Sequence, residues 1–241
     1  MSVTRPELAY RLRRFRPLAV GVGLLLMLLG ATRRAFAHRP MPGNPGGVVE
    51  LPDAELSYAF YQELTRPDQV DFYRVTAHAG ARLQASINIP HLPALADYGV
   101  SLALVGPGLP DLDPAQLPAA ARARLGDTAS KGLVLPSQVS DSFQEPFTQT
   151  RYFGRQRLNM PAPADGSYML LVWHPQGVPG KYVLSTGYRE RFGPADLLRF
   201  PAWWVDVHRY YGDAPRNAVA AYLSGIGALV GMMARLITGK H

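Results

Sequence analysis

The stretch "RLQASINIP" (82–90) constrains the fold most, because its apolar residues recur at every second position. Leu83, Ala85, Ile87 and Ile89 fall on one side and polar residues on the other. A period of two is the mark of a strand with one buried face. "DFYRVTAH" (71–78) repeats the pattern, with Tyr73, Val75 and Ala77 opposite Phe72, Arg74 and Thr76, and "HAGA" between the two stretches reads as a turn. "GVSLALVGPG" (99–108), "SYMLLVWH" (167–174) and "KYVLSTGY" (181–188) complete the set. Short alternating runs separated by Gly and Pro predict a mainly β chain, an antiparallel β-sandwich over residues 48–192. "LPDLDPAQLPAAARARLGDTASK" (109–131) breaks the alternation and reads as a long exposed insertion with one short helix at 114–125.

The ends have a different character. Residues 1–16 carry five arginines, the apolar run Pro17–Ala31 follows, and the small-residue triplet Ala35, Phe36, Ala37 stands just before His38. The apolar run is shorter than the roughly 20 residues that span a bilayer, and the order basic, apolar, Ala-x-Ala is that of a signal peptide. The expectation is a signal segment at 1–37, a Pro/Gly linker at 38–47 and a mature chain beginning with His38. This leader also accounts for the charge. Seven of the 25 basic residues and one of the 18 acidic ones lie in 1–37, which leaves the remainder close to neutral. No basic footprint for nucleic acid remains. The chain has no cysteine, which excludes disulfides and thiolate metal sites.

"GPADLLRFPAWWVDVHRYYGD" (193–213) places Pro194 and Asp196 at a helix start. Its dense Trp and Tyr content fits either an interfacial helix or one packed on the sandwich. "AVAAYLSGIGALVGMMARLI" (218–237) has one charge, Arg235, and reads as a transmembrane helix. Gly227 and Gly231 form a G-x-x-x-G pair of the kind that lets two membrane helices self-associate. Arg235 and Lys240 at its end put the sandwich on the extracytoplasmic side, in a periplasm or at a cell surface.

"PDQVDFYRVTAHAGARLQASINIP", "GVSLALVGPG" and "PAPADGSYMLLVWHPQGVPGKYVLSTGY" together resemble the bacterial pre-peptidase C-terminal (PPC) type of domain over residues 66–188. The resemblance implies a jelly-roll-like sandwich that is exported and accessory, binding a partner, a polymer or its own enzyme. Val100 and Ser101 stand where that family often opens its third strand with an Asp pair, a departure that weighs against carrying over a calcium site. The layout as a whole also resembles a bacterial group of exported, membrane-anchored proteins without assigned function.

Enzyme signatures are sparse. There is no G-x-S-x-G elbow, P-loop, H-E-x-x-H or dinucleotide fingerprint in the exported part. "SFQEPFTQTRYFGRQRL" (142–158) is the richest mixture of aromatic and charged residues. Glu145, Arg151, Tyr152 and Arg155 are the candidate ligand-binding residues, for a sugar or a peptide; the plain alternative is a strand with buried rings and a solvated polar side. A copper site is the second possibility. The amine and ring of His38 would need a further imidazole from His78, His91 or His174, which fall at strand ends. The sequence therefore predicts a membrane-tethered, non-catalytic binding or assembly module without a cofactor. The alternatives are a copper-binding protein using His38 and a secreted-type hydrolase.

Overall fold

A computed structural model describes residues 38–138, 142–145, 148–191, 193–214 and 216–238. The expected signal segment at 1–37 lies outside the described residues. Two compact units are present: residues 38–191 with 206–214, and residues 193–205 with 216–238.

Among the described residues the first unit holds eleven strands in two sheets. The strands are β1 (Arg39–Met41), β2 (Val48–Leu51), β3 (Tyr58–Leu64), β4 (Val70–Ala77), β5 (Arg82–Pro90), β6 (Ser101–Val105), β7 (Gly132–Leu135), β8 (Ser142–Gln144), β9 (Arg151–Pro161), β10 (Gly166–Trp173) and β11 (Gly180–Thr186). Sheet A has the order β1-β3-β11-β5-β9-β8 and sheet B the order β2-β4-β10-β6-β7. The interior pairings are antiparallel, as expected, but both outermost N-terminal strands pair in parallel: β1 with β3 and β2 with β4. The Pro/Gly segment 38–47 is thus partly strand rather than wholly linker.

The alternation read from the sequence decides the core. Leu83, Ala85, Ile87 and Ile89 of β5 are buried with Tyr73, Val75 and Ala77 of β4 in one cluster. Among these apolar side chains runs a polar chain. Asp71 Oδ2 accepts from the Tyr182 hydroxyl at 2.7 Å, and Tyr182 and Tyr73 share a bond at 2.9 Å. Asp71 Oδ1 accepts from Gly46 N and from the Gln69 amide at 2.8 and 2.9 Å. A buried carboxylate is tolerable because its lone pairs are filled in this way.

The stretch 109–131 is not the exposed insertion that its composition implied. Leu112, Leu117, Ala121 and Ala129 are buried with Val70, Phe72, Val105, Met169 and Leu171 in a second cluster on the far side of sheet B. Pro118 splits the expected helix into a 3₁₀ turn at Pro114–Gln116 and the helix α1 (Ala119–Leu125). Covering that face explains why β6 is buried at every position.

Helix α2 (Pro194–Tyr211) starts where Pro194 and Asp196 indicated. Asp196 Oδ2 accepts from the Gly193 N–H at 2.8 Å, which satisfies one orphan donor of the first turn. It stops at Gly212, whose φ of +85° lets Gly212 N and Asp213 N both donate to the His208 carbonyl. Helix α3 (Ala218–Thr238) follows. Among the described residues no helix is long and apolar enough to cross a membrane, so the transmembrane helix expected at 218–237 is not found there. One face of α3 is instead committed to protein packing: Ala221 is buried, and a Cβ at Gly225 would lie 2.7 Å from the Pro201 carbonyl of α2. Gly227 and Gly231 face open space.

Candidate functional site

The outer face of sheet A carries the candidate site. Its central strands present short polar side chains outward: Gln84, Ser86 and Asn88 from β5, and Ser185 beside Val183 from β11. Together with residues from β3 and β9 they line a cavity of about 300 Å³. Ala59 and Tyr61 form the β3 side, Arg157 and Asn159 the β9 side, and His38, Phe143 and Glu145 the rim. Phe143 is 43% exposed, an unusual position for a large apolar ring.

A β-bulge sets which β9 residues reach this face. Asn88 pairs with Gly154 and Ile87 with Gln156, so Arg155 is the extra residue. Counting by twos from Tyr152 would put 154, 156 and 158 outward. The bulge shifts the parity, so Arg157 and Asn159 face the cavity while Leu158 joins the core. Arg155 is turned away and buried, donating through Nε to the Tyr98 carbonyl at 2.9 Å and through a terminal nitrogen to the Ala96 carbonyl at 2.5 Å. Burial lowers its pKa and the nearby Asp97 opposes the shift. It latches the 96–98 loop to β9 and does not line the cavity.

The other residues singled out from 142–158 divide. Glu145 and Tyr152 both line the cavity. The Glu145 carboxylate accepts from Thr148 N at 2.6 Å and Thr148 Oγ1 at 2.7 Å, and Glu145 N donates to the Thr150 carbonyl at 2.8 Å. Gln149, between Thr148 and Thr150, sits at φ +63°. Tyr152 is buried, with its hydroxyl accepting from Thr150 Oγ1 at 2.9 Å. Arg151 points to solvent and donates to Ser142 Oγ at 3.2 Å. The C-terminal end of α2 supports two of the lining rings: Tyr211 packs edge-on against Tyr152 and Tyr210 against Tyr61. The Tyr210 hydroxyl donates to the Gln62 or Tyr182 carbonyl, at 2.8 and 2.9 Å, and Tyr211 to that of Arg151 at 2.8 Å. Burial raises the Tyr61 and Tyr152 pKa values above the ordinary phenol range, so both stay protonated at neutral pH.

The four histidines proposed as copper ligands have different surroundings. His38 lines the cavity, and burial lowers its pKa to about 4. His78 is almost fully exposed at the β4–β5 turn, 3.5 Å from Asp165. His91 stacks on Phe153 at 4.3 Å between centroids. His174 stacks on Tyr98 at 5.1 Å, and its Nδ1 already accepts from Gln176 N and Val178 N. Among the described residues no group of three or more His, Cys, Asp or Glu could hold a metal ion.

No family model matches this chain and no curated protein matches it. Solved structures do. Over 63% of this chain it is similar to all of PliG, a periplasmic inhibitor of g-type lysozyme from Aeromonas hydrophila, at 14% identity and a TM-score of 0.35. Over 58% of this chain it is similar to 95% of the pre-peptidase C-terminal domain of collagenase from Bacillus anthracis, at 16% identity and a TM-score of 0.30. The second likeness is to the domain type that the strand motifs resemble. Both concern the β-sandwich alone.

Arg157, Asn159, Ser86 and Asn88 line the cavity without having been singled out as candidate binding residues from the sequence. The polar side of 82–90 was the available signal for Ser86 and Asn88, because a fully solvated face does not need such short, uncharged side chains. For Arg157 and Asn159 no signal existed, since a bulge is decided by the partner strand.

Proposed function

We propose that this chain is an exported, non-catalytic binding module that holds a polar, saccharide-like ligand on the outer face of sheet A. The observation that carries the reading is the cavity of about 300 Å³ walled by hydroxyl and amide side chains, with an exposed aromatic ring at its rim. Ser86, Asn88, Asn159 and Ser185 can donate and accept together, as a ring of sugar hydroxyls requires, and Phe143 supplies an apolar plane. Arg157 adds a fork of donors. Export rests on the basic–apolar–Ala-x-Ala order of residues 1–37. The non-catalytic part is supported by the state of the titratable groups. The Glu145 carboxylate is engaged by Thr148, His38 is neutral at pH 7, and the Tyr61 and Tyr152 phenols keep their protons. Such a set is suited to recognising hydroxyls.

Saturation-transfer NMR with chito-, malto- and cello-oligosaccharides tests this. At least one series should receive magnetisation from the protein, and no reducing end should be released on prolonged incubation. Phe143→Ala and Arg157→Ala should each weaken binding about tenfold. Failure of every saccharide, or unchanged binding by both variants, overturns the reading; transfer to short peptides instead would assign the cavity to peptide recognition.

A further inference from the structure

A second cavity lies on the opposite side of the sandwich, where the 109–131 segment folds over sheet B. Its volume is about 550 Å³, within the range of small-molecule sites. Val48, Val105 and Met169 form an apolar floor and Leu125 of α1 an apolar wall. The charged side chains are confined to a few positions: Arg74, Arg124, Lys131 and one acid, Asp127. Arg74 is already paired with Glu50 at 2.8 Å, and Lys131 with Asp111 at 2.6 Å. Arg124 differs. Its guanidinium lies over the Phe72 ring, 4.8 Å from the centroid, and among the described residues no carboxylate is in ion-pair reach of it. A guanidinium stacked on a ring keeps its in-plane N–H edge available, and that edge matches a carboxylate.

We propose that this cavity binds an amphiphilic monoanion, an aliphatic chain ending in one carboxylate. The charge arithmetic selects a single negative head: one uncommitted arginine, with Asp127 beside it to disfavour a second negative charge. The volume selects the tail. A methylene is close to the ~30 Å³ share of a liquid water, so the cavity accommodates roughly eighteen such groups, enough for a dodecyl chain with its head. An apolar tail on the floor would displace water that has few polar partners there, while the head stays at the mouth. The site is distinct from the sheet A cavity, because its lining comes from the other face of the sandwich and from α1.

Titration calorimetry of the full chain with dodecanoate, below its micelle concentration, tests the proposal. Dodecanoate should bind one to one, and decanoate and octanoate should each bind about tenfold more weakly than the next longer acid. Dodecyltrimethylammonium, with the same tail and the opposite charge, should not compete. Arg124→Gln should weaken dodecanoate about tenfold while leaving the chain-length dependence intact. Ser167→Trp, placed on the exposed side of β10 at the lining, should block the tail without changing the urea midpoint of the chain. No dodecanoate binding, equal binding of the cationic amphiphile, or indifference to chain length would each overturn it. Unchanged binding by a folded Ser167→Trp would overturn it as well.

Discussion

Tyr182→Phe removes one oxygen from the centre of the sandwich, and the structure fixes what that should cost. The Tyr182 hydroxyl has a single hydrogen, which goes to Asp71 Oδ2 at 2.7 Å. The bond between Tyr73 and Tyr182 at 2.9 Å must therefore run from Tyr73 to Tyr182. Tyr73 and Tyr182 are 1% and 0% exposed and Asp71 is 2% exposed, so water does not replace a lost partner without rearrangement. Tyr182→Phe deprives a carboxylate of one donor, worth about 1.5–3 kcal/mol, and strands the Tyr73 hydroxyl, worth about 1–3 kcal/mol more. The expected loss is about 3–5 kcal/mol. Tyr73→Phe removes only the end of the chain and should cost about 1 kcal/mol. The double variant no longer contains the stranded hydroxyl, so it should be more stable than Tyr182→Phe alone by about 1 kcal/mol or more. Urea unfolding followed by tryptophan fluorescence measures all three midpoints at constant m. If Tyr182→Phe costs no more than Tyr73→Phe, or if adding Tyr73→Phe to it destabilises further, the directional chain ending on Asp71 is wrong.

Two more outcomes follow from particular contacts. His38 has a folded pKa of about 4 against an ordinary 6.5, so its neutral form is the one the fold accepts. Its contribution is fully present above pH 6.5 and is lost as the pH falls through 4, by about 1–3 kcal/mol once solvent screening is allowed for. The urea midpoint of the wild type should accordingly fall more steeply from pH 7 to pH 4 than that of His38→Gln; parallel curves would contradict the burial of the ring. Leu117→Ala opens a hole under the 109–131 segment, where Leu117 is 2% exposed, and should cost about 2–4 kcal/mol. A loss under 0.5 kcal/mol in the same unfolding assay would mean that the segment does not cover sheet B.

Local pattern determined much of this protein. The period of two in 82–90 and 71–78 chose both the strands and the face each one buries, because a side chain one position away must point to the other side of a sheet. The Pro194–Asp196 pair marked the start of α2, because the first turn of any helix needs a donor satisfied and a fixed φ. Glu145 and Tyr152, from the stretch richest in aromatic and charged residues, both line the cavity. Three things were decided only by the tertiary structure. The parity of β9 depended on a bulge opposite Ile87 and Asn88, which turned Arg155 into a buried latch and brought Arg157 and Asn159 into the cavity. The burial of Leu112, Leu117 and Ala121 depended on the outer face of sheet B, whose Phe72 and Met169 needed covering although the segment itself reads as polar and Pro-rich. The surroundings of His78, His91 and His174 depended on what packs beside each one: Asp165, Phe153 and Tyr98. In each case the deciding partner lies far away in sequence, and periodicity along one strand carries no information about what packs across from it.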